Sequence, residues 1–232
     1  MKKIFLLLSI TTLMLQSCST DNNSENSNSS GNMLLKRLEY SDNSGPIYFN
    51  YNGTKLNYYS FGEPSGILKK QFTYSGDLIT KTEWFENGVA TGEKQTYTYL
   101  NNKVVEERTY SPGAILEYIS NISYNSDGSI DVIDTGYNGN SSGGYTAFID
   151  SNNNIVQIGD TYYEYDNMNN PYKNITGYYK LYLGNGGNNN RTQENTTNSS
   201  TTYNYQYNSQ NYPISCEILE PGQPPVICNY YY

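Results

Sequence analysis

Aromatic and apolar residues recur two positions apart along this chain, with a polar residue between them. The runs Phe72–Tyr74 and Tyr97–Tyr99 are examples. Because alternate residues of a β-strand point to the same face, each such pair predicts a half-buried strand. The second residue of each pair, here termed the anchor, precedes a short polar run. The anchors are Tyr51, Tyr74, Tyr99, Tyr124, Ile149, Tyr165 and Tyr207, and from Tyr74 to Ile149 they recur every 25 residues.

The polar run after each anchor carries turn signals. In four repeats the fourth residue after the anchor is Gly or Asn, the residues that adopt a left-handed backbone at least cost. These residues are Gly128, Asn153, Asn169 and Asn211, and an apolar residue or proline then follows at Ile130, Ile155, Pro171 and Pro213. Such turns close short hairpins. The sequence therefore predicts an all-β fold, an antiparallel meander of repeated hairpins with about a dozen strands, as an open twisted sheet or a partly closed barrel.

Composition supports β-structure and argues against nucleic-acid binding. The chain of 232 residues contains 27 Tyr, whose rings favour strands and bury large areas. The formal net charge is −8, and removing Lys2 and Lys3 with a leader would make it more negative. The basic pairs Lys36-Arg37 and Lys69-Lys70 form no stripe, so no nucleic-acid partner is expected.

The repeat has a family resemblance. The run Tyr163–Pro171 reads Y-E-Y-D-N-M-N-N-P and resembles a YD or RHS-type repeat unit, although only Tyr165-Asp166 is a true Tyr-Asp pair. Similar units cover most of residues 45–215, and the layout is similar to uncharacterised Bacteroidetes lipoproteins. The resemblance implies a β-sheet of stacked hairpins. It implies no activity, because a fold does not determine a function.

The N-terminal residues have the pattern of a signal peptide. Lys2 and Lys3 precede an apolar run that is too short to cross a bilayer. The run Leu15–Cys18 resembles the lipobox of bacterial lipoproteins, although Gln16 replaces a more usual small residue. This resemblance implies removal of residues 1–17 and attachment of diacylglycerol and a further acyl chain, such as palmitate, to Cys18. The alternative is an ordinary secreted protein with a chance cysteine at the cleavage site.

The residues after Cys18 predict the cellular location and the domain layout. Ser19 resembles the outer-membrane sorting pattern, which implies a lipid anchor in the outer membrane, at the periplasmic face or the cell surface. Residues 19–32 contain no apolar residue, so 18–33 are expected to form a flexible tether. The β domain then spans 34–232, and its segment 184–200 is predicted to be a mobile loop.

Two cysteines remain once Cys18 carries lipid. Cys216 and Cys228 lie six residues either side of Gly222, in a hairpin predicted around Pro221-Gly222. A directly opposed pair on one face of a hairpin has the separation that a disulfide needs. Because an oxidising envelope favours such a bond, the sequence predicts a Cys216–Cys228 disulfide.

The sequence offers little catalytic chemistry. It contains no histidine, which excludes His-based triads and the commonest metal ligand. Glu106 and Glu107 are adjacent and would point to opposite faces of a strand, so they cannot share one site. The Asx-rich turns after Tyr124 and Ile149 lack the glycine and glutamate of a calcium loop, and turn formation explains them better. No metal and no cofactor are expected.

Aromatic rings are the remaining candidates for a binding site. Trp84 and Phe85 must point to opposite faces of a strand, and an exposed ring suits stacking on a sugar or a partner. The alternative is that Trp84 belongs to the core and the tyrosines form cross-strand pairs without binding anything. The candidate stacking residues are Trp84, Tyr97, Tyr99, Tyr203 and Tyr205.

Three functions therefore remain open. The first is a non-enzymatic module that binds a glycan or another envelope component. The second is a structural or assembly role beside an outer-membrane protein. The third is a carboxylate-based glycoside hydrolase, for which two carboxylates about 5–10 Å apart would have to face one cleft.

Overall fold

The computed structural model describes residues 33–42, 44–137, 139, 141–181 and 187–232, with only the backbone at Ser141 and Ser142. The predicted signal peptide 1–17, the lipidation site Cys18 and the tether up to residue 32 lie outside these residues. Those three expectations therefore stay predictions.

The described residues form sixteen β-strands joined in sequence order. Each strand pairs antiparallel with its neighbours in the chain, and β1 also pairs with β16, so the sheet closes into a barrel. The predicted all-β meander is confirmed, in a fully closed form. The strands are β1 (Arg37–Tyr40), β2 (Ile47–Asn52), β3 (Lys55–Phe61), β4 (Leu68–Ser75), β5 (Leu78–Glu86), β6 (Val89–Leu100), β7 (Lys103–Ser111), β8 (Ile115–Tyr124), β9 (Ser129–Gly136), β10 (Ser141–Ile149), β11 (Ile155–Ile158), β12 (Thr161–Tyr165), β13 (Arg191–Asn195), β14 (Ser200–Tyr207), β15 (Pro213–Leu219) and β16 (Val226–Tyr231).

The strand number exceeds the dozen that the spacing predicts. Strands β1, β11, β12 and β13 have only four or five residues each, too few for a clear alternation in sequence. Strand β13 lies inside residues 184–200, so the prediction of a mobile loop is wrong for Arg191–Asn195. This polar segment is a strand because it pairs with β12 and β14 on its two sides.

The repeat builds the inner face of the barrel. Phe72 and Ile122, each two residues before an anchor, are buried. After the turn, the next apolar residue is buried again, as Leu56, Ile79 and Val104 illustrate. Each hairpin therefore contributes apolar side chains to the interior on both sides of its turn, as period-two alternation requires.

Three of the four predicted left-handed turn residues are confirmed. Gly128, Asn153 and Asn211 have φ angles of 88°, 60° and 63°. Asn169 does not adopt a positive φ, and Pro171 begins no strand. The hairpin expected after Tyr165 is therefore wrong, because the chain leaves the barrel wall at that point.

Residues 166–181 and 187–190, here termed the cap segment, lie between β12 and β13 at the end of the barrel where the anchors lie. Its described residues contain the 3₁₀ helix Tyr178–Lys180. The Thr176 amide donates to the Thr54 carbonyl at 2.9 Å, and the Asn174 side chain donates to the Met33 carbonyl at 2.8 Å. Ile175 is buried against Leu56, Phe72 and Ile79. The cap segment therefore covers this end and extends the core.

Anchor hydroxyl groups join neighbouring hairpins. Tyr51 donates to the Leu35 carbonyl at 2.7 Å, and Tyr99 donates to the Ile79 carbonyl at 2.7 Å. Leu35 and Ile79 are buried, and a buried carbonyl without a partner is costly, so each bond stabilises the fold. This explains why the chain uses tyrosine at these positions, since phenylalanine would fill the same space without the bond.

The outer face of the barrel carries ion pairs between residues of the same strand. Each pair joins residues two apart that flank an inward side chain, and the inward residues are Leu38, Thr82 and Glu107. The pairs are Arg37 with Glu39 at 3.4 Å, Lys81 with Glu83 at 2.6 Å and Arg108 with Glu106 at 2.9 Å. The outer wall therefore carries paired charges at these positions, whereas the side chain between each pair is buried inside.

No helix in the described part of the chain has the length and hydrophobicity that crossing a bilayer requires.

Candidate functional site

A cavity of about 310 Å³ lies inside the barrel, between the cap segment and the inner face of strands β12 to β16 and β1. Three amide side chains, one arginine and two cysteines contribute to its wall, together with six aromatic rings. The rings belong to Tyr40, Tyr165, Tyr172, Tyr203, Tyr205 and Tyr230. Its volume lies at the lower end of the range for small-molecule sites.

Strand alternation brings two of the predicted stacking residues to the cavity. Tyr203 and Tyr205 lie on β14 and point inward, whereas Asn204 between them points outward and contacts Glu217 at 3.2 Å. The ring of Tyr205 lies 5.9 Å from that of Tyr207, centroid to centroid. Strand β14 therefore contributes two aromatic rings to the cavity wall, and Tyr207 lies beside them outside the lining.

An ion pair lies where this wall reaches solvent. Arg191 on β13 contacts Glu194 at 2.7 Å, and its guanidinium lies 4.2 Å from the centroid of the Tyr163 ring. The hydroxyl of Tyr203 lies 3.5 Å from the same carboxylate. The Arg191 and Glu194 side chains are 39% and 31% exposed, so Arg191 can still offer N–H groups to a ligand at the cavity edge.

The cavity tyrosines are neutral near neutral pH, since the ordinary tyrosine pKa is about 10, and burial moves them further from ionisation. Loss of solvation raises the pKa of Tyr40, Tyr205 and Tyr230, and neighbouring cysteines raise each further. The pKa of Tyr172 is also raised well above its ordinary value by burial. Each hydroxyl therefore carries its proton near neutral pH and can both donate and accept a hydrogen bond.

The asparagine side chains of the wall are engaged within the protein. Asn190, buried, donates to the Asp166 carboxylate at 3.2 Å, and Asn189 donates to the Met168 carbonyl at 3.0 Å. Asn170 donates to the Asn189 carbonyl at 3.2 Å. These amides hold the cap segment in place, and the Tyr165 hydroxyl likewise donates to the Ile155 carbonyl at 2.8 Å. Arg191 and the lone pairs of the tyrosine hydroxyls therefore remain as the principal ligand-binding groups.

The two cysteines form part of the cavity wall. Strands β15 and β16 pair Cys216 directly with Cys228, and both side chains are buried. Both are thiols in this structure, and the disulfide stays a prediction. Burial raises the pKa of the Cys216 thiol to about 12, which makes it a poor nucleophile near neutral pH.

The other predicted stacking residues lie elsewhere in the barrel. Trp84 is half-buried, with its ring centroid 5.9 Å from Phe61 and 6.0 Å from Tyr59. Tyr97 packs against the core, and Tyr99 donates to the Ile79 carbonyl as described above. None of the three predicted residues lines the cavity.

Sequence reasoning missed several cavity residues. Tyr40 and Tyr230 could have been found by extending the alternation from the two cysteines, because Tyr40 pairs with Cys228 and Tyr230 lies two residues beyond it. Tyr165 was identified as an anchor but not as a site residue. Arg191 and Tyr172 carry no local signal, because Arg191 lies in a polar, Asn-rich run typical of loops and Tyr172 follows a run typical of hairpin turns.

The carboxylates do not converge on the cavity. Its lining contains neither Asp nor Glu. Glu106 pairs with Arg108 outside while Glu107 is buried and accepts from Gln95 at 2.7 Å, so the two point to opposite faces as expected. Within the described residues, no cluster of three or more His, Cys, Asp or Glu side chains could hold a metal ion.

Comparison with known proteins identifies related folds but no family. No protein-family model and no curated protein matches this chain. A porin-like protein from Bacteroides vulgatus ATCC 8482 matches with a TM-score of 0.52 and 14% identity, over 86% of this chain and 98% of that one. A porin-like protein from Bacteroides uniformis ATCC 8492 matches with a TM-score of 0.46 and 15% identity, over 85% of this chain and 96% of that one. At such identities, the likeness to the first is one of fold alone.

Proposed function

We propose that this chain is a lipid-anchored outer-membrane protein whose barrel binds a small carbohydrate, of about one or two sugar rings, in the tyrosine-lined cavity. The observation that carries the proposal is the convergence of six tyrosine rings on one cavity of about 310 Å³. The described lining of this cavity contains no carboxylate pair, which speaks against the carboxylate-based hydrolase and favours a binding module.

A carbohydrate suits the chemistry of this wall. Tyrosine rings offer apolar faces to the C–H groups of a sugar, and their hydroxyls offer donors and acceptors to its O–H groups. The rings of Tyr203 and Tyr205 stand on a rigid strand, so little side-chain entropy is lost on binding. Arg191 adds charged donors at the edge of the cavity.

The proposed location rests on the lipobox-like run that ends at Cys18. The protein from Bacteroides vulgatus with a similar fold is described as porin-like. A barrel that crosses the outer membrane needs an outward apolar band about 25 Å tall, whereas this wall carries mid-strand pairs such as Lys81–Glu83 and Arg108–Glu106. The barrel is therefore anchored to the membrane by its lipid and stands in water.

Carbohydrate binding can be tested by calorimetry with a panel of mono- and disaccharides. Replacement of Tyr203 or Tyr205 by alanine is expected to weaken binding about tenfold or more, because a buried aromatic contact is removed from the centre of the site. Tyr58→Ala and Tyr110→Ala on the outer wall are the matched controls and should leave affinity unchanged. Equal losses in both sets, or no binding of any sugar by the natural chain, would refute the proposal.

We also propose that Cys216 and Cys228 are disulfide-bonded in the envelope. The bond would close a loop across the β15–β16 hairpin, and loops of this size contribute about 3 kcal/mol to the free energy of unfolding. Protein isolated without reductant is expected to take up no alkylating reagent at either cysteine after unfolding. Reduction should lower the denaturation midpoint accordingly. Labelling of both thiols in the unreduced, unfolded protein would contradict the prediction.

A further inference from the structure

Four consecutive hairpins carry exposed apolar residues at the end of the barrel opposite the cap segment. The residues are Ile67, Val89, Ile115 and Tyr137, with exposures of 65%, 69%, 60% and 76%. They are here termed the apolar rim. Hairpin tips are normally built from polar and turn-forming residues, and a row of large apolar side chains on a surface commonly marks an interaction site.

Backbone hydrogen bonds between neighbouring hairpins hold the rim in place. The Asn87 amide donates to the Ile67 carbonyl at 2.9 Å, which links the β3–β4 and β5–β6 connections. The Tyr137 amide donates to the Glu117 carbonyl at 2.8 Å, which fastens the end of β9 to the start of β8. Because these tips are fixed before any partner arrives, little ordering entropy opposes binding.

A third bond joins the two middle tips. The Gly113 amide donates to the Thr91 carbonyl at 2.8 Å. Successive tips are separated by two strands, so the four apolar side chains span roughly 30 Å along the rim at about 4.8 Å per strand. That length is close to the side of a square of about 800 Å², the area that each partner buries in a standard protein–protein interface.

The exposed charge at the tips is negative, whereas Lys69 and Lys94 on the adjoining strands lie over the rings of Tyr58 and Tyr110. Glu63, Glu86, Glu93 and Glu117 are exposed in or beside the same tips. The connections 62–67, 86–89 and 111–115 contain no Lys or Arg. A partner surface that meets this rim must therefore supply positive charge beside its apolar contacts.

We propose that the apolar rim docks a protein whose contact surface presents apolar side chains bordered by Lys and Arg. An anionic lipid surface would be repelled by the four carboxylates. A second copy related by twofold symmetry would set glutamate against glutamate, since such an interface brings the same patch together. The inference is independent of carbohydrate binding, because the rim lies on strands β3 to β10 and shares no residue with the cavity.

Photo-cross-linking of the full chain in its own envelope tests this inference. A photoreactive residue in place of Val89 is expected to give an adduct with one protein, at a peptide that contains both apolar and basic residues. Leu100 is the matched control position, because it is 63% exposed and lies at the opposite end of the same strand, β6. No such adduct is expected from Leu100.

Charge variants decide whether the adduct reflects the proposed chemistry. The combined substitutions Glu63→Gln, Glu86→Gln and Glu117→Gln should reduce the adduct yield about tenfold, as expected for the loss of several exposed ion pairs. Glu39→Gln with Glu217→Gln, on the barrel wall, should leave the yield unchanged. Adducts with lipid, adducts with a second copy, no adduct, or a yield insensitive to the rim variants would each overturn the inference.

Discussion

Raising the pH above about 10, the ordinary pKa of tyrosine, is expected to unfold the barrel cooperatively. Burial raises the pKa of Tyr97, Tyr172 and Tyr230 well above that value, and it raises the pKa of Tyr74 to about 12. Burial also raises the pKa of other inward-pointing tyrosines, including Tyr51, Tyr59, Tyr99 and Tyr205. The protein should therefore be more sensitive to alkali than a barrel with an aliphatic core.

The direction of this pH effect follows from the number of protons that the folded and the unfolded chain bind. Below about pH 10, tyrosines are protonated in both the folded and the unfolded chain, so their ionisation does not make the free energy of unfolding depend on pH. Above it, the unfolded chain releases protons that the folded chain retains, and the free energy of unfolding falls. Each fully retained proton lowers it by about 1.4 kcal/mol per pH unit, so Tyr97, Tyr172 and Tyr230 together contribute roughly 4 kcal/mol per unit.

Circular dichroism and tyrosinate absorbance, recorded together between about pH 8 and 12, measure this transition. The two signals should change together, because the tyrosines ionise as the barrel opens. Tyr97→Phe combined with Tyr230→Phe should make stability fall less steeply with pH. Tyr137→Phe, at a ring that is 76% exposed, is the control and should leave the slope unchanged. Gradual ionisation with the β signal intact would contradict the prediction.

Replacement of Asp166 by alanine is expected to lower the free energy of unfolding by about 3 kcal/mol or more. Its carboxylate accepts from the amides of Met168 at 2.9 Å and Asn190 at 3.0 Å. It also accepts from the Asn190 side chain and from the hydroxyl of Tyr207. One carboxylate thus fastens both ends of the cap segment to β14, and its loss leaves several enclosed donors unpaired.

Denaturant unfolding measures the loss, and amide hydrogen exchange locates it. Exchange in D166A should accelerate first at the amides of Met168, Ile175 and Thr176, because the cap segment detaches before the wall. Asp166→Asn, which keeps one oxygen acceptor, should recover part of the stability. Asp127→Ala is the control, because that side chain bonds only within an exposed turn and its loss should have a small effect. Similar losses in D166A and D127A would refute the role assigned to Asp166.

The hairpin meander could be predicted because its signals are local. Anchors such as Tyr74 and Tyr99 alternate with polar residues, and Gly128, Asn153 and Asn211 supply left-handed turns; these features depend only on a few neighbouring residues. The register that sets Cys216 opposite Cys228 follows in the same way from one central turn. Two of the five predicted stacking residues, Tyr203 and Tyr205, reach the cavity because alternation decides which face they occupy.

The closure of the sheet and the cavity depend on contacts between distant parts of the chain. Nothing near Arg37–Tyr40 specifies that it pairs with β16, and the polar β13 is a strand only because two other strands border it. The turn pattern after Tyr165 is equally compatible with a hairpin, yet Asp166 bonds to Asn190 and the described residues of the cap segment cover the barrel end. The sequence by itself thus determined strand periodicity, turn type and inward faces. Only the tertiary structure decided barrel closure, the cap segment and the residues of the cavity, because each of these depends on packing and hydrogen bonds across many tens of residues.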